Sequence, residues 1–328
     1  MQKTQSSRIM EIPDKLVKIK DELRSEKHAG SICVANYKGG VGKTTMSCLL
    51  GYYLAKKGKK VLLIDIDPQC SLSLAVGFDL GKVSKTDSTI YDLVSPSKWA
   101  KIKKVKFNNY VDSIPDIYAP STLKIIKGSF DVDNLDIAVI QAITDDDRNK
   151  SELFFYCLNM LNASDDFDYV IVDCPPNKMF LTQAMLRACS YYMTVTIPDK
   201  ISVFGMPRLL RWVKKIPEDV KPKLLGCVLN AVNRAGGFET GTKNQQAAIQ
   251  ELLEGIEKDL DAEEKRVLGS NPLLAYIPRL DVISKFLSQG DEKIARFDFN
   301  RKTSGQRDVN SVMMNFVNRI EKRISDYA

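Results

Sequence analysis

The sequence has little of what hydrolases and metalloenzymes most often use. It contains one histidine in 328 residues, His28, set in a polar stretch ahead of the first apolar run. A Ser-His-Asp relay or a site with several imidazole ligands therefore has almost no material to work with. A disulfide framework is missing as well: the seven cysteines (Cys33, Cys48, Cys70, Cys157, Cys174, Cys189, Cys227) are odd in number, scattered, without a CxxC pair and mostly inside apolar runs. That pattern points to free thiols in a reducing compartment. No apolar run reaches the roughly 18 to 20 residues of a membrane-spanning helix, and the opening MQKTQSSRIMEIPDK has no signal-peptide core, so a cytoplasmic protein is expected. Glycine (18) and proline (13) are modest and no repeat is visible, which excludes fibrous and low-complexity chains. Charge of one sign is not dominant either. Lys+Arg 48 against Asp+Glu 41 gives +7, compatible with an anionic partner without demanding one.

What is present is an alternation of short apolar runs and helical patterns. Residues 12 to 27 form an amphipathic pattern with Asp14 as a cap and Leu16, Ile19 and Leu23 on one face, read as part of an N-terminal helical extension over residues 1–30. The main domain, 31–328, begins with SICVANY (31 to 37), a glycine-rich loop, a helix from Thr44 to Lys57 stopped by Gly58, and the apolar run KVLLIDID (60 to 67). Strand, loop, helix and strand in that order make a βαβ unit. Further strands are expected at 168 to 176, 191 to 198, 223 to 232 and 273 to 278. Helices are expected at 151 to 162, 180 to 189, 203 to 215, 242 to 266 and 309 to 326. The stretch from 95 to 150 is irregular, with a basic run at 101 to 106 and an acidic one at 145 to 148. The fold class that follows is α/β, a doubly wound and mainly parallel sheet flanked by helices.

Chemistry concentrates in Lys38-Gly39-Gly40-Val41-Gly42-Lys43-Thr44-Thr45, between the first strand and the first helix. Its glycines let successive backbone N–H groups converge on an anion, the helix points its positive end there, and Lys43 adds a full charge. This is the complete GxxxxGK[ST] pattern in a strand-to-helix setting, with Thr44 at the hydroxyl position that ligates Mg²⁺. Two aspartates at strand ends accompany it: Asp65-Ile66-Asp67-Pro68-Gln69 closes the second strand, and Val170-Ile171-Val172-Asp173-Cys174-Pro175-Pro176 closes a later one. Ligand-facing residues are expected at the carboxyl ends of such strands. Either aspartate of the first group is equally suited to cap the turn that follows it.

KGGVGKTT, with its second lysine, resembles the deviant Walker A loop of the ParA/MinD family of ATPases, and DIDPQ resembles that family's Walker A′ element. The resemblance spans about residues 31 to 290 and implies a P-loop NTPase fold that binds ATP and Mg²⁺. It implies that Lys38 reaches the partner's ATP across a nucleotide-sandwich homodimer, coupling ATP binding to dimerisation. It gives Asp67 the task of positioning the attacking water, Asp65 a supporting role on the Mg²⁺ side, and Asp173 the Walker B role of holding Mg²⁺. Residues 39 to 45 cradle the nucleotide. Asn230 matches the asparagine that reads the adenine edge, with a capping or turn role as the other reading, and Pro278 lies in a Tyr276-Ile277-Pro278-Arg279 segment near the base. Pro198, followed by Phe204 and Gly205, matches the switch segment, while Cys174 is a bystander because no cluster-binding cysteine pattern exists.

DIDPQ followed by Cys70-Ser71-Leu72-Ser73 looks like the ParA branch. A MinD-like protein would end in a basic amphipathic membrane helix, and VMMNFVNRIEKRISDYA does place Val312, Met313, Phe316, Val317, Ile320 and Ile324 on one stripe beside Arg319, Lys322 and Arg323. Glu321, Asp326 and the lack of an interfacial Trp favour packing of that stripe on the body, so a membrane partner is not expected. Arg208, Arg211, Lys214 and Lys215, three and four apart, group on one broad helix face and are the candidates for DNA contact, against a merely solvated face. Lys243, Arg266, Arg296, Arg301 and Lys302 are weaker ones. The expectation is a nucleoid-associated partition ATPase that dimerises on ATP, binds DNA without sequence preference and is reset by a centromere-binding partner protein that stimulates hydrolysis. A MinD-like membrane-surface ATPase and a relative that positions a protein assembly on the nucleoid remain alternatives.

Overall fold

In the computed structural model, which describes residues 30–79, 88–95, 107–116, 119–143, most of 153–199, 202, 205–232, 243–278 and 309–328, the apolar runs pair into one eight-stranded sheet. The elements in chain order are β1 (Ser31–Val34), α1 (Lys43–Lys56), β2 (Val61–Asp65), α2 (Ser71–Ala75), α3 (Ile90–Val94), β3 (Asp112–Ser113), β4 (Leu123–Ile126) and α4 (Val132–Ile143). They continue with β5 (Tyr169–Asp173), α5 (Phe180–Ala188), β6 (Tyr191–Thr196), α6 (Gly205–Val213), β7 (Lys223–Val232), α7 (Lys243–Asp259), α8 (Ala262–Leu268), β8 (Leu273–Pro278) and α9 (Val309–Tyr327). The strand order is β3-β4-β2-β5-β1-β6-β7-β8, and every pairing is parallel except that of the short edge strand β3 with β4.

Parallel pairing brings the carboxyl ends of the central strands together. Val34 lies opposite Asp173 in the β1–β5 register, and Asp65 lies opposite Asp173 in the β2–β5 register. Side chains alternate between two cores: Ile32, Val34, Leu63 and Ile171 face α1 and α9, while Cys33, Leu62, Ile64 and Val172 face α5, α6 and α7. A sheet covered on both faces explains why its strands read as unbroken apolar runs.

Several boundaries differ from the sequence reading. The first strand ends at Val34, because Ala35–Tyr37 peel off into the loop, where the Asn36 amide donates to the Val195 carbonyl at 2.7 Å. The helix expected at 242 to 266 is two helices. Asp261 breaks it by capping α8: its carboxylate accepts from the Glu264 N–H at 2.8 Å while the Glu264 carboxylate accepts from the Asp261 N–H at 3.1 Å. The irregular stretch from 95 to 150 contains β3, β4 and α4, whose strands of two and four residues are too short to register as periodic patterns. The extension at 1–30 and its helix at 12 to 27 lie outside the described residues, apart from Gly30. The helix at 151 to 162 is described in part, with helical residues at 153–154, 157–158 and 160–162.

Candidate nucleotide site

Between β1 and α1 the chain turns through Gly40 and Gly42, both at positive φ (+72° and +97°). Gly42 is the residue that caps α1, and a side chain there would collide with the amide of Asn230, so the position needs glycine for conformation and for space. No side chain caps α1 and no acidic residue occupies its first turn. Its first N–H groups and its positive dipole end are therefore left facing the loop, which is the arrangement that binds phosphate. The Lys43 ammonium curls back to donate to the Lys38 carbonyl at 3.1 Å, and Lys38 N–H is held by the Asn36 side chain at 3.1 Å. Burial depresses the Lys43 pKa, with Asp173 and Asp67 opposing the shift.

Three carboxylates face this loop in different states. Asp173 is fully buried; one oxygen accepts from the Ser47 hydroxyl at 2.8 Å and the other, Oδ2, has no hydrogen-bond partner. Burial, then the neighbouring Asp65, pushes its pKa up to about 7, against the hydroxyls of Thr44 and Ser47 and the Lys43 ammonium. A bare buried carboxylate oxygen beside a threonine hydroxyl fits a hard divalent cation such as Mg²⁺, so Thr44 and Asp173 suit the metal role. Asp65 is equally buried but differently engaged: Oδ2 accepts from the Ser73 N–H (2.9 Å) and hydroxyl (2.7 Å), and Oδ1 from the Asp67 N–H (3.3 Å). Its pKa is pushed up to about 6 by burial. Both of its oxygens thus shape the loop that carries Asp67, and its supporting place on the metal side is indirect in this geometry. Asp67 holds the Gln69 N–H at 2.9 Å through Oδ1, the turn-capping task that the sequence left open, and its second oxygen has no hydrogen-bond partner among the described residues.

A family model described as an AAA domain matches residues 29–225, well over half of the chain. The Bacillus subtilis sporulation initiation inhibitor protein Soj is 31% identical over 198 residues, covering 59% of this chain and 68% of that protein. The chain belongs to the ParA-type P-loop ATPases. In fold it is similar to an ATP complex of a Cyanothece McdA variant, with a TM-score of 0.68, 19% identity, and coverage of 90% of this chain and 96% of that one. The chain spans 45% of the length of a Rhizobium rhizogenes protein named as a replication protein A, to which it is 28% identical over 194 residues, 58% of this chain.

In this ATPase the remaining sequence candidates are distributed around the phosphate loop. Lys38 is half-buried at the loop's start, and Gly39 and Gly40 are exposed. Thr45 is buried one residue past Thr44. Asn230 comes to the site from the end of β7, but its amide nitrogen donates to the Val41 carbonyl at 2.9 Å. It therefore ties β7 to the phosphate loop, and Ala231 after it sits at a φ of +52°, a left-handed conformation uncommon for a residue with a side chain. Pro278 closes β8 beside β7, opposite Val232. Arg279 and Phe204 lie outside the described residues. Arg208, Arg211, Lys214 and Lys215 are all exposed on α6 and the turn after it.

Two participants were missed by the motifs, Asn36 and Ser47, while Ser73 entered only as part of the run after DIDPQ. Ser47 stands one helical turn past Lys43, so the (i, i+4) spacing carried a signal; Asn36 carried none, because Val195 comes from a distant strand, and the bond of Ser73 to Asp65 spans eight residues with no motif behind it. Cys174 touches Cys33 sulfur to sulfur at 3.1 Å, and burial pushes both thiols up, so it is an inert bystander. All seven cysteines are free and buried.

Proposed function

We propose that this ATPase acts in partition: it binds Mg-ATP, pairs face to face as a homodimer, binds DNA without sequence preference, and is reset by hydrolysis that a centromere-binding partner stimulates, so that a plasmid or chromosome region is segregated. The observation that carries the reading is the Asp173 oxygen left bare beside Thr44 in a loop that opens with Lys38. In the proposed cycle the N–H groups of residues 39 to 45 and the Lys43 ammonium hold the phosphates, and Thr44 and Asp173 hold the Mg²⁺, which supplies charge compensation when bound. Asp67 orients the attacking water through its second oxygen. Lys38 extends from the loop's first position to the partner's phosphates. The packing of α9 on the body, with Met313, Phe316, Val317 and Ile320 buried, supports the partition branch over a membrane-surface one.

Light scattering of the protein with Mg-ATP tests the cycle. Asp67→Ala is expected to accumulate as a dimer with turnover reduced by about 100-fold or more, and Lys38→Ala to bind ATP yet stay monomeric. A monomeric Asp67→Ala, or a Lys38→Ala that dimerises like the parent protein, contradicts the proposal.

A further inference from the structure

The four cations offered for DNA contact do not have equivalent surroundings. Arg208, Trp212 and Lys215 are spaced i, i+4, i+7 and share one stripe of α6 and its last turn. Arg211 and Lys214 point to the neighbouring stripe, where both meet one carboxylate of α7, Asp259, at 3.7 and 3.6 Å. A single carboxylate serving two cations lowers that stripe from +2 to +1. Arg211 also donates to the Pro207 carbonyl at 3.3 Å.

The other stripe gains a cation. Lys178, exposed in the segment between Asp173 and α5, stands with its ammonium 4.8 Å over the Tyr37 ring. Tyr37, Asn177, Lys178, Gln183 and Trp212 line one hollow. Burial, then Arg208 and Lys215, lowers the Lys178 pKa, which places all three cations within Coulomb reach of one another. Among the described residues no carboxylate pairs with Lys178, Arg208 or Lys215. Lys178 over the Tyr37 ring, and Arg208 and Lys215 on the Trp212 stripe, with no carboxylate partner among the described residues, match a polyanion with regularly spaced negative groups. Both supports of the hollow hang on the site's own strands: Tyr37 directly precedes Lys38, and Lys178 follows Asp173 by one short loop.

We infer that Lys178, Arg208 and Lys215, with Tyr37 and Trp212 between them, form the surface that contacts the DNA phosphate backbone, and that Asp259 holds Arg211 and Lys214 largely out of that contact. The inference rests on the DNA-binding reading above and divides its residue set.

Fluorescence anisotropy of a random duplex titrated with the Mg-ATP form, repeated over a range of salt, tests it. Lys178→Gln with Arg208→Gln should weaken binding about tenfold or more and flatten the log-log salt slope by about one unit per lost contact, whereas Arg211→Gln with Lys214→Gln should change affinity less than about threefold. Lys178→Arg should restore the slope. Asp259→Asn should tighten binding and steepen the slope by releasing two cations. If the parent protein binds the duplex and the Arg211/Lys214 pair matters as much as or more than the Lys178/Arg208 pair, or Asp259→Asn leaves the slope unchanged, the inference is overturned while DNA binding stands. If the parent ignores the duplex at low salt, both are overturned.

Discussion

Asp173 and Arg323 are both buried charges, and their surroundings are opposite. Arg323, on α9, spends its guanidinium on the edge of the sheet: Nη1 donates to the carbonyls of Leu225 and Pro272, and Nη2 to those of Asn271 (2.7 Å) and Leu273 (3.3 Å). Arg319 adds donors to Leu273 and Leu274 at 3.0 and 3.2 Å. Gly226 lies beneath at a φ of +126°, where any side chain would strike the Arg323 guanidinium and the Pro272 carbonyl. Burial, then Arg319, lowers the Arg323 pKa to about 10, so it stays charged near neutral pH with its donors engaged. Asp173 is bonded by the Ser47 hydroxyl, with the Thr44 hydroxyl beside it, and keeps one oxygen without a hydrogen-bond partner. A buried charge whose partners are complete belongs to the scaffold, and one whose partners are incomplete marks where a ligand enters.

The comparison breaks most visibly through Arg323→Met, which strands several carbonyls at once. A loss of about 3 kcal/mol in denaturant unfolding is expected, with ATP affinity within about twofold of the parent. Lys43→Ala is expected to do the reverse, lowering ATP affinity in calorimetry by about 100-fold through lost charge-assisted contacts while leaving the unfolding midpoint in place.

A pH effect of about 2 kcal/mol should follow from the two buried carboxylates alone. Asp65 and Asp173 hold their protons more tightly folded than unfolded, at about 6 and about 7. Their contribution is full below the ordinary carboxylate range and is lost as pH rises through 6 and 7, so the nucleotide-free protein should gain stability from pH 8 to pH 6. Unfolding curves at the two values check the sign, and Asp173→Asn should flatten the difference. The smallest effect sharpens the contrast: Asn230→Ala removes one neutral hydrogen bond to Val41 and should weaken ATP binding by about 1 kcal/mol, roughly fivefold.

The nucleotide end was legible because its chemistry is local. Residues 38 to 45, 65 to 67 and 170 to 173 each carry their meaning within a few positions, and the strands that end in them are unbroken apolar runs. What escaped depends on contacts across the chain. Four residues of β4 cannot show a period, and Asp65 looks like a metal-side carboxylate until Ser73 is seen on it. Arg211 and Lys214 look like free cations until α7 brings Asp259 alongside. The stripe on α9 was readable, but Arg319 and Arg323 beside it could have been a membrane-facing basic flank. Their carbonyl partners on β7, β8 and the turn between α8 and β8 show both arginines committed to the edge of the sheet.

Asp173→Asn tests the central claim most directly, by thermal unfolding without nucleotide and calorimetric titration of ATP with and without Mg²⁺ on the same sample. An incomplete buried charge kept for a ligand should be dispensable to the fold, so the variant is predicted to unfold at or above the parent's temperature while losing the Mg²⁺-dependent part of ATP affinity. A variant that unfolds several degrees lower yet binds Mg-ATP like the parent would contradict the account, because Asp173 would then be scaffold in the same sense as Arg323.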